Sequence, residues 1–381
     1  MSNRLRPQTT VPRADEAALT SPSSFSDVPA GPSELAACFA AALAESQRAF
    51  ERGYTIAGLP VLLRFANEAM FRRLTRAFAH LQASHLEPAL TVHLWDSSAT
   101  DAPTLPAYRP DPAAPGAVIH FSEGPVQALY QPALRALSVL DNDHGVGWFW
   151  TENALRLPEW ECATPIRHIL HWSLASRGVQ QLHAAAVGTP SGGVLVVGKG
   201  GSGKSTVALA SLAAGFLYAG DDYVAASVDG NPVVHSLYSS GKLDPHHVKR
   251  FPHLLTAHRI EPEADPATAP FDRDKTVIYL HESHRATDTE GFRIRAIVIP
   301  RIVGHGETLL SPVSRPRALA ALAPSTIVQL HTAGKDALAS MRELVGRVPA
   351  FELALGANVE DAPNVIRDLL ERLTRNDEAA G

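Results

Sequence analysis

The chain has 381 residues, 45% of them hydrophobic and 19% charged, with a net charge of −5, an ordinary globular balance over a length that suits two domains better than one. It carries no strong basic field to draw nucleic acid or anionic lipid and no apolar run near the ~20 residues that span a bilayer, so neither partner is expected. The cysteines, Cys38 and Cys162, form no metal or redox motif, and the first thirty residues hold Arg4, Arg6, Arg13, Asp15 and Glu16 without an apolar stretch, unlike a secretory signal; a soluble, cytoplasmic protein is expected.

Residues 1–32, rich in Pro, Ser and Thr, read as a disordered tail. Ser33 then caps a helix running to about Glu51. "YTIAGLPVLLRFA" reads as strand, turn at Gly58 and Pro60, strand, followed by a helix over Asn67–Leu81 and a strand "ALTVHLWD". The stretch 100–117 holds five prolines and reads as a loop. "GAVIHF", "VQALYQ" and "GVGWFWT" read as strands of an antiparallel layer. These elements make an α+β N-terminal domain over 33–160 with no chemical motif. Its scattered His93, His120 and His144 suit packing or surface roles better than a metal site.

The second domain, 161–381, opens on a helix in "PIRHILHWSLASRG", ended by Gly178. "QLHAAAVGT" and "GGVLVVG" are short strands across a turn. A helix over Lys204–Ala214 is closed by Gly215, and "FLYAGDDYVAASVDG" reads as strand, acidic corner, strand. Residues 231–275 look irregular. "KTVIYL", "RIRAIVIPRI" and "TLLSPVS" read as strands, helices follow over 315–323 and 325–347, and a closing helix has Asp361 as cap and Pro363 in its first turn. Its Val365, Ile366, Leu369, Leu370 and Leu373 share one apolar face. This domain is long enough to bury a core of its own. "HESH" over 281–284 offers two histidines without a partner cluster, which does not make a zinc site.

Gly198, Lys199, Gly200, Gly201, Ser202, Gly203, Lys204 and Ser205 fit G-x-x-x-x-G-K-[ST] in full, after an apolar strand and at the start of a helix that continues with Thr206. Glycines let successive N–H groups turn inward onto phosphate oxygens, and the helix N-terminus adds partial positive charge. Lys204 is placed to reach the β- and γ-phosphates of ATP, and the Ser205 hydroxyl to ligate Mg²⁺. Lys199 lies inside the loop, where a solvated side chain is the plainer reading.

Asp221 and Asp222 follow Lys204 by only seventeen and eighteen positions. Two acids on one corner can divide two tasks, holding the metal and taking a proton from an attacking hydroxyl. The plain alternative is a turn in which Asp side chains cap local N–H groups. His183, twenty-one positions ahead of Lys204, would face the phosphates if its strand neighbours the loop strand; the plain alternative is a satisfied core histidine.

The arrangement "LHAAAV…GKGGSGKSTVALA…GFLYAGDDYV" resembles HPr kinase/phosphorylase and its relatives, whose catalytic core is itself similar to that of phosphoenolpyruvate carboxykinase. It is nearest to shorter HPr-kinase-like proteins, including kinases that accompany ribosomally made peptides such as lasso peptides. The resemblance covers residues 181–225 well and the rest of 165–355 in strand pattern only. It implies an α/β, P-loop kinase core with a mixed sheet, ATP and Mg²⁺ as cofactors, and phosphorylation of a serine-type hydroxyl on a peptide or protein. It makes Asp221 the general base with His183 as its helper, and gives the phosphates to Lys204 and the metal to Ser205; the division of tasks at the acid corner leaves Asp222 as the second metal ligand. No "EIRG"-like signature follows; "SLYSSGKLDPHHVKRF" stands in its place, which argues against HPr as the acceptor. Lys242 in that segment, and Arg301 after "AIVIP", are further candidates for phosphate contact. A small-molecule kinase and a non-kinase P-loop ATPase or nucleotide-gated module remain open, as does a homo-oligomer.

Overall fold

The computed structural model describes residues 31–46, 48–98, 118–243, 259–260, 275–282 and 289–380. The expected tail and the 100–117 loop lie almost wholly outside these residues, as do His284 and much of the stretch read as irregular.

Helix α1 (Pro32–Ser46) leads into hairpin β1 (Phe50–Ile56) and β2 (Leu59–Phe65). Helix α2 (Glu68–Leu74) starts where Asn67 Oδ1 accepts the Met70 N–H at 2.8 Å, a side-chain cap. The helix expected over Asn67–Leu81 is therefore split, with a 3₁₀ segment over Arg76–Leu81. Strands β3 (Leu90–Asp96), β4 (Ile119–Glu123), β5 (Val126–Gln131), β6 (Ala136–Asp141) and β7 (Val146–Thr151) complete a seven-stranded sheet in the order β1-β2-β3-β7-β6-β5-β4. It is mixed: β2–β3 and β3–β7 are parallel, the rest antiparallel. Helix α1 and an aromatic cluster of Phe39, Trp95, Trp148 and Trp150 cover one face.

After α3 (Glu159–Cys162) and α4 (Arg167–Ala175) come β8 (Val179–Leu182), β9 (Ala185–Thr189), β10 (Gly192–Val196), α5 (Lys204–Ala213), β11 (Leu217–Gly220), β12 (Val224–Ser227), β13 (Val233–Ser236) and β14 (Ser240–Leu243). Strands β15 (Arg259–Ile260), β16 (Thr276–Tyr279), β17 (Gly291–Ile302) and β18 (Leu309–Pro312) follow. Helices α6 (Arg315–Gln329) and α7 (Lys335–Arg347), strand β19 (Ala350–Leu355) and helix α8 (Ala362–Ala380) end the chain.

A second mixed sheet runs β11-β9-β10-β17-β13-β12-β8, with β19 pairing β17 and β18 pairing β19. Strand β17 serves both halves: its start pairs β13 and its end lies between β10 and β19, both parallel to it. Helices α5 and α8 pack on one face through Val207, Leu209, Ile366, Leu369 and Leu370 against Val196, Val298 and Leu353. The apolar core on the other face contains residues of α4, α6 and α7, and it continues without a break into the first sheet through Tyr54, Leu63, Phe78 and Phe149. A small third sheet has the order β14-β16-β15.

Pro324 was expected to separate two helices, yet α6 passes through it to Gln329, and the chain breaks at 330–334 instead. Proline removes one intrahelical hydrogen bond; burial of Leu322, Ala323 and Thr326 on either side holds the helix together.

Candidate functional site

The loop after β10 has the backbone its glycines are needed for. Gly198, Gly201 and Gly203 have φ of 147°, 75° and 102°, values that L side chains disfavour. Open space surrounds Gly200 and Gly201, whereas a Cβ on Gly198 would come within 2.8 Å of Ser202 Oγ. Lys204, at the N-terminus of α5, is buried and turned back into the loop, its Nζ donating to Gly198 O at 2.8 Å and Lys199 O at 3.4 Å. Burial lowers its pKa, Asp222 and Asp221 counter that, and Lys275 adds to the lowering. Lys199 is exposed and Ser205 half-buried.

Strand order brings the other candidates to this edge. In the register, Val196 of β10 faces Ala185 of β9, and Ala186 of β9 faces Gly220 of β11. Strand β9 thus lies between the loop strand and the acid strand, the neighbour relation that His183 required. The run "QLHAAAV" is not one strand, however. It breaks at His183–Ala184, because β8 pairs with β12 while β9 pairs with β11. The acid strand breaks in the same place. Leu182 faces Val224 and Ala186 faces Gly220, so His183 to Ala185 lie opposite Asp221 to Tyr223. Two matched interruptions put the candidate side chains where no ladder constrains them.

His183 contacts Asp222 rather than Asp221. Its Nε2 lies 3.2 Å from Asp222 Oδ1, and its Nδ1 is buried without a hydrogen-bond partner. Burial lowers the His183 pKa against the pull of Asp222, so the ring is neutral and the carboxylate acceptor places its proton on Nε2. Lys242 clamps both acids: its backbone N–H donates to Asp221 Oδ2 at 3.0 Å and its Nζ to Asp222 Oδ2 at 2.5 Å.

The two carboxyls are pushed apart. Burial raises the pKa of Asp221 to about 6, helped by the charge of Asp222, against the Lys242 N–H and ammonium and the nearby Ser205 hydroxyl. Burial acts the same way on Asp222, but the Lys242 ammonium and the His183 hydrogen bond outweigh it and hold that group well below the usual carboxylate range. Asp221 Oδ1 is buried and accepts no hydrogen bond. Asp222 keeps 20% of its side chain exposed.

Arg301 is not brought to this corner. Its Nε donates to Glu352 Oε1 at 2.9 Å, and Arg317 binds the other oxygen of the same carboxylate. Alternation along β17 puts Arg301 on the face opposite α5. Among the described residues no group of three or more His, Cys, Asp or Glu could hold a metal.

Several neighbours carried no sequence signal. Thr326 Oγ1 of α6 accepts the His183 backbone N–H at 3.1 Å, and Tyr223 OH donates to Gln329 Oε1 at 2.7 Å. The Tyr223 ring packs 5.6 Å from that of His183. Tyr218 OH donates to Ser240 O at 2.9 Å, tying the acid strand to β14. Adjacency to the acid pair could have pointed to Tyr223; Thr326 and Gln329 come from a distant helix.

No protein-family model matches the chain, and no curated protein matches it. Among solved structures it is similar to the HPr(Ser) kinase/phosphatase from Coxiella burnetii, with a TM-score of 0.27, 12% sequence identity, and coverage of 53% of this chain and 97% of that one. A likeness of that size is too slight to assign an activity. No helix among the described residues is long and apolar enough to cross a membrane.

Proposed function

We propose that this protein is a P-loop kinase that transfers the γ-phosphate of ATP to a serine-type hydroxyl on a peptide or protein. One observation carries the reading: the acid pair, with His183 and Lys242 bound to it, shares a sheet edge with a complete phosphate loop. The loop suits a polyphosphate, since a Cβ at Gly200 or Gly201 would meet nothing and Lys204 is turned back into the loop. Ser205 and the acid corner suit Mg²⁺, which is commonly bound through one or two carboxylates together with phosphate oxygens.

Main-chain N–H groups of the loop not already bonded within it, as Ser202 N is to Lys199 O, bind the phosphates, and Lys204 offsets their charge. Mg²⁺, when bound, neutralises charge on the transferring phosphate. Asp222, kept ionised by Lys242 and His183, supplies the fixed negative charge toward the metal. Asp221, whose pKa lies near neutrality and whose Oδ1 is unpaired, takes the proton of the acceptor hydroxyl; such a pKa suits a general base. His183 acts through Asp222, holding its orientation by the Nε2–H bond. Lys242 also places a cation beside the reacting groups.

The test is transfer of label from γ-labelled ATP, with Mg²⁺, to pools of peptides and of small metabolites. Label on serine hydroxyls of peptides supports the proposal. Label on a metabolite redirects it to a small-molecule kinase, and label found only in inorganic phosphate leaves an ATPase.

A further inference from the structure

We propose that Ile302 forms an apolar ledge against which the purine ring of the nucleotide lies by its face, so that the site accepts ATP and GTP alike; this rests on the phosphate-loop reading above.

The placement comes from the strand order. The acids lie on the β9–β11 side of the loop strand, and β17 and β19 lie on the other. The loop leaves β10 beside β17, where Val197 N donates to Val298 O at 2.9 Å. The carboxyl ends of parallel strands are the usual ligand edge of an α/β sheet. A nucleotide with its γ-phosphate toward Asp221 and Asp222 therefore extends its nucleoside over the ends of β17 and β19.

Ile302 is the last residue of β17 and is 60% exposed. It abuts the loop, since a Cβ on Gly203 would lie 3.7 Å from Ile302 Cγ1. A single exposed isoleucine is unremarkable on a surface; one set against the last glycine of a phosphate cradle is placed to touch whatever the phosphates carry.

The lack of base selectivity follows from the polar groups around it. Val303 N and Gly304 N both donate to Leu355 O, at 2.9 and 3.1 Å, and Ala357 N donates to Gly306 O at 3.0 Å. Thr308 Oγ1 accepts Gly356 N at 3.1 Å. The His305 ring bonds Val303 O, and Asn358 is tied to Glu360 N and Asp361 Oδ1. Glu307 is exposed to solvent, where a carboxylate discriminates little. Strong discrimination needs positioned polar groups that a wrong ligand would leave unpaired, and the groups named here, among the described residues, bond within the chain.

Calorimetric titration of the full chain with ATP, GTP and inorganic triphosphate, each with Mg²⁺, tests this. Wild-type affinities for ATP and GTP should agree within about threefold, and Ile302→Ser should weaken both by about tenfold while leaving triphosphate within about twofold. Ile302→Phe, which keeps an apolar face, should retain both nucleotides. A preference above about tenfold for one base, or ATP binding unchanged in Ile302→Ser, overturns the ledge. If wild type binds none of the three, the phosphate-loop reading itself fails, a distinct result from loss of the ledge alone.

Discussion

Lys204 and Lys242 hold the two charge centres of the site, and each gives a separate expectation. Lys204→Ala removes the cation proposed to face the phosphates and should abolish transfer, a loss on the order of 3–4 kcal/mol or more in the barrier; activity within threefold of wild type would remove the nucleotide site. Asp221→Asn should bind ATP and Mg²⁺ yet transfer poorly, whereas Asp222→Asn should lose metal affinity more. Ser205 approaches Asp221, so exchanged phenotypes in the same assay would exchange the two roles. Stability gives an independent check. The Asp221 carboxyl has its pKa raised from 3.8 to about 6 in the fold, so between those values the folded chain binds more protons than the unfolded one. The contribution of Asp221 itself to ligand-free stability should therefore fall as pH rises from about 4 to about 6, against the opposite trend from His80, His93, His171 and His331, whose burial lowers their pKa values. Asp221→Asn should raise Tm over wild type at pH 7 by at least about 2 °C and give no such gain at pH 4; an equal gain at both pH values would count against the raised pKa. Lys242→Met leaves two buried carboxyls without their cation, a change of about 3–5 kcal/mol for a broken buried pair. Its melting temperature should recover in part at pH 5, where the acids regain protons.

Helix α6 sets the position of the site from a distance. Thr326 and Gln329 fix the backbone of His183 and the ring of Tyr223, so Thr326→Val should lower transfer by about tenfold with nucleotide affinity unchanged, since one buried hydrogen bond is lost at a cost of about 1–3 kcal/mol. A matching loss of ATP affinity would show that the helix supports the cradle instead. The same elements show what a sequence carries. The phosphate loop is legible because its requirement is local: glycines for left-handed backbone, then a lysine and a hydroxyl on one helical turn. Asp221 and Asp222 are legible only by their nearness to it. The break at His183 is not legible, because it arises from which strands pair, β8 with β12 and β9 with β11, and pairing across tens of residues leaves no local mark. Lys242 is legible only as a candidate phosphate contact; its hold on both acids becomes visible once Tyr218 ties β14 to the acid strand. Strands β6, β13, β14 and β19 escape notice for a related reason, β13 and β14 lying inside the stretch read as irregular. Strand β6 is buried throughout, and β13 and β19 are short or show no strict alternation, so a period of two does not stand out. Pro324 misleads in the other direction, since a local breaker gives way to the packing of Leu322 and Thr326.

At the scale of the whole molecule, the two sheets share more than a linker. The phenyl ring of Phe78 lies 5.3 Å from that of Tyr238 and 5.3 Å from that of Tyr54. Ser239 N donates to Ala77 O at 2.8 Å, and His80 Nε2 meets Ser236 Oγ at 2.7 Å. Arg76 pairs with Glu282 at 2.8 Å and stacks over Tyr279 at 4.0 Å, and Arg73 binds Leu157 O and Glu159. Tyr238 and Tyr279 sit in the same apolar core as Tyr54 and Leu63. Just beyond Tyr238, Ser240 and Lys242 belong to β14, the strand that clamps the acid pair. The length of the second domain suits independent folding, but this shared core argues the opposite. A fragment beginning at Pro165 would expose Tyr238 and Tyr279, leave the Ser239 N–H without its acceptor, and lose the Ser240 Oγ bond to Ala163 O. Unpaired buried polar groups and a contiguous apolar face both favour aggregation. That fragment should be insoluble or melt without cooperativity, while a chain beginning at Gly31 should retain the full-length Tm within about 2 °C. A monodisperse Pro165 fragment that melts cooperatively and binds ATP would show that the second sheet and its helices close their own core.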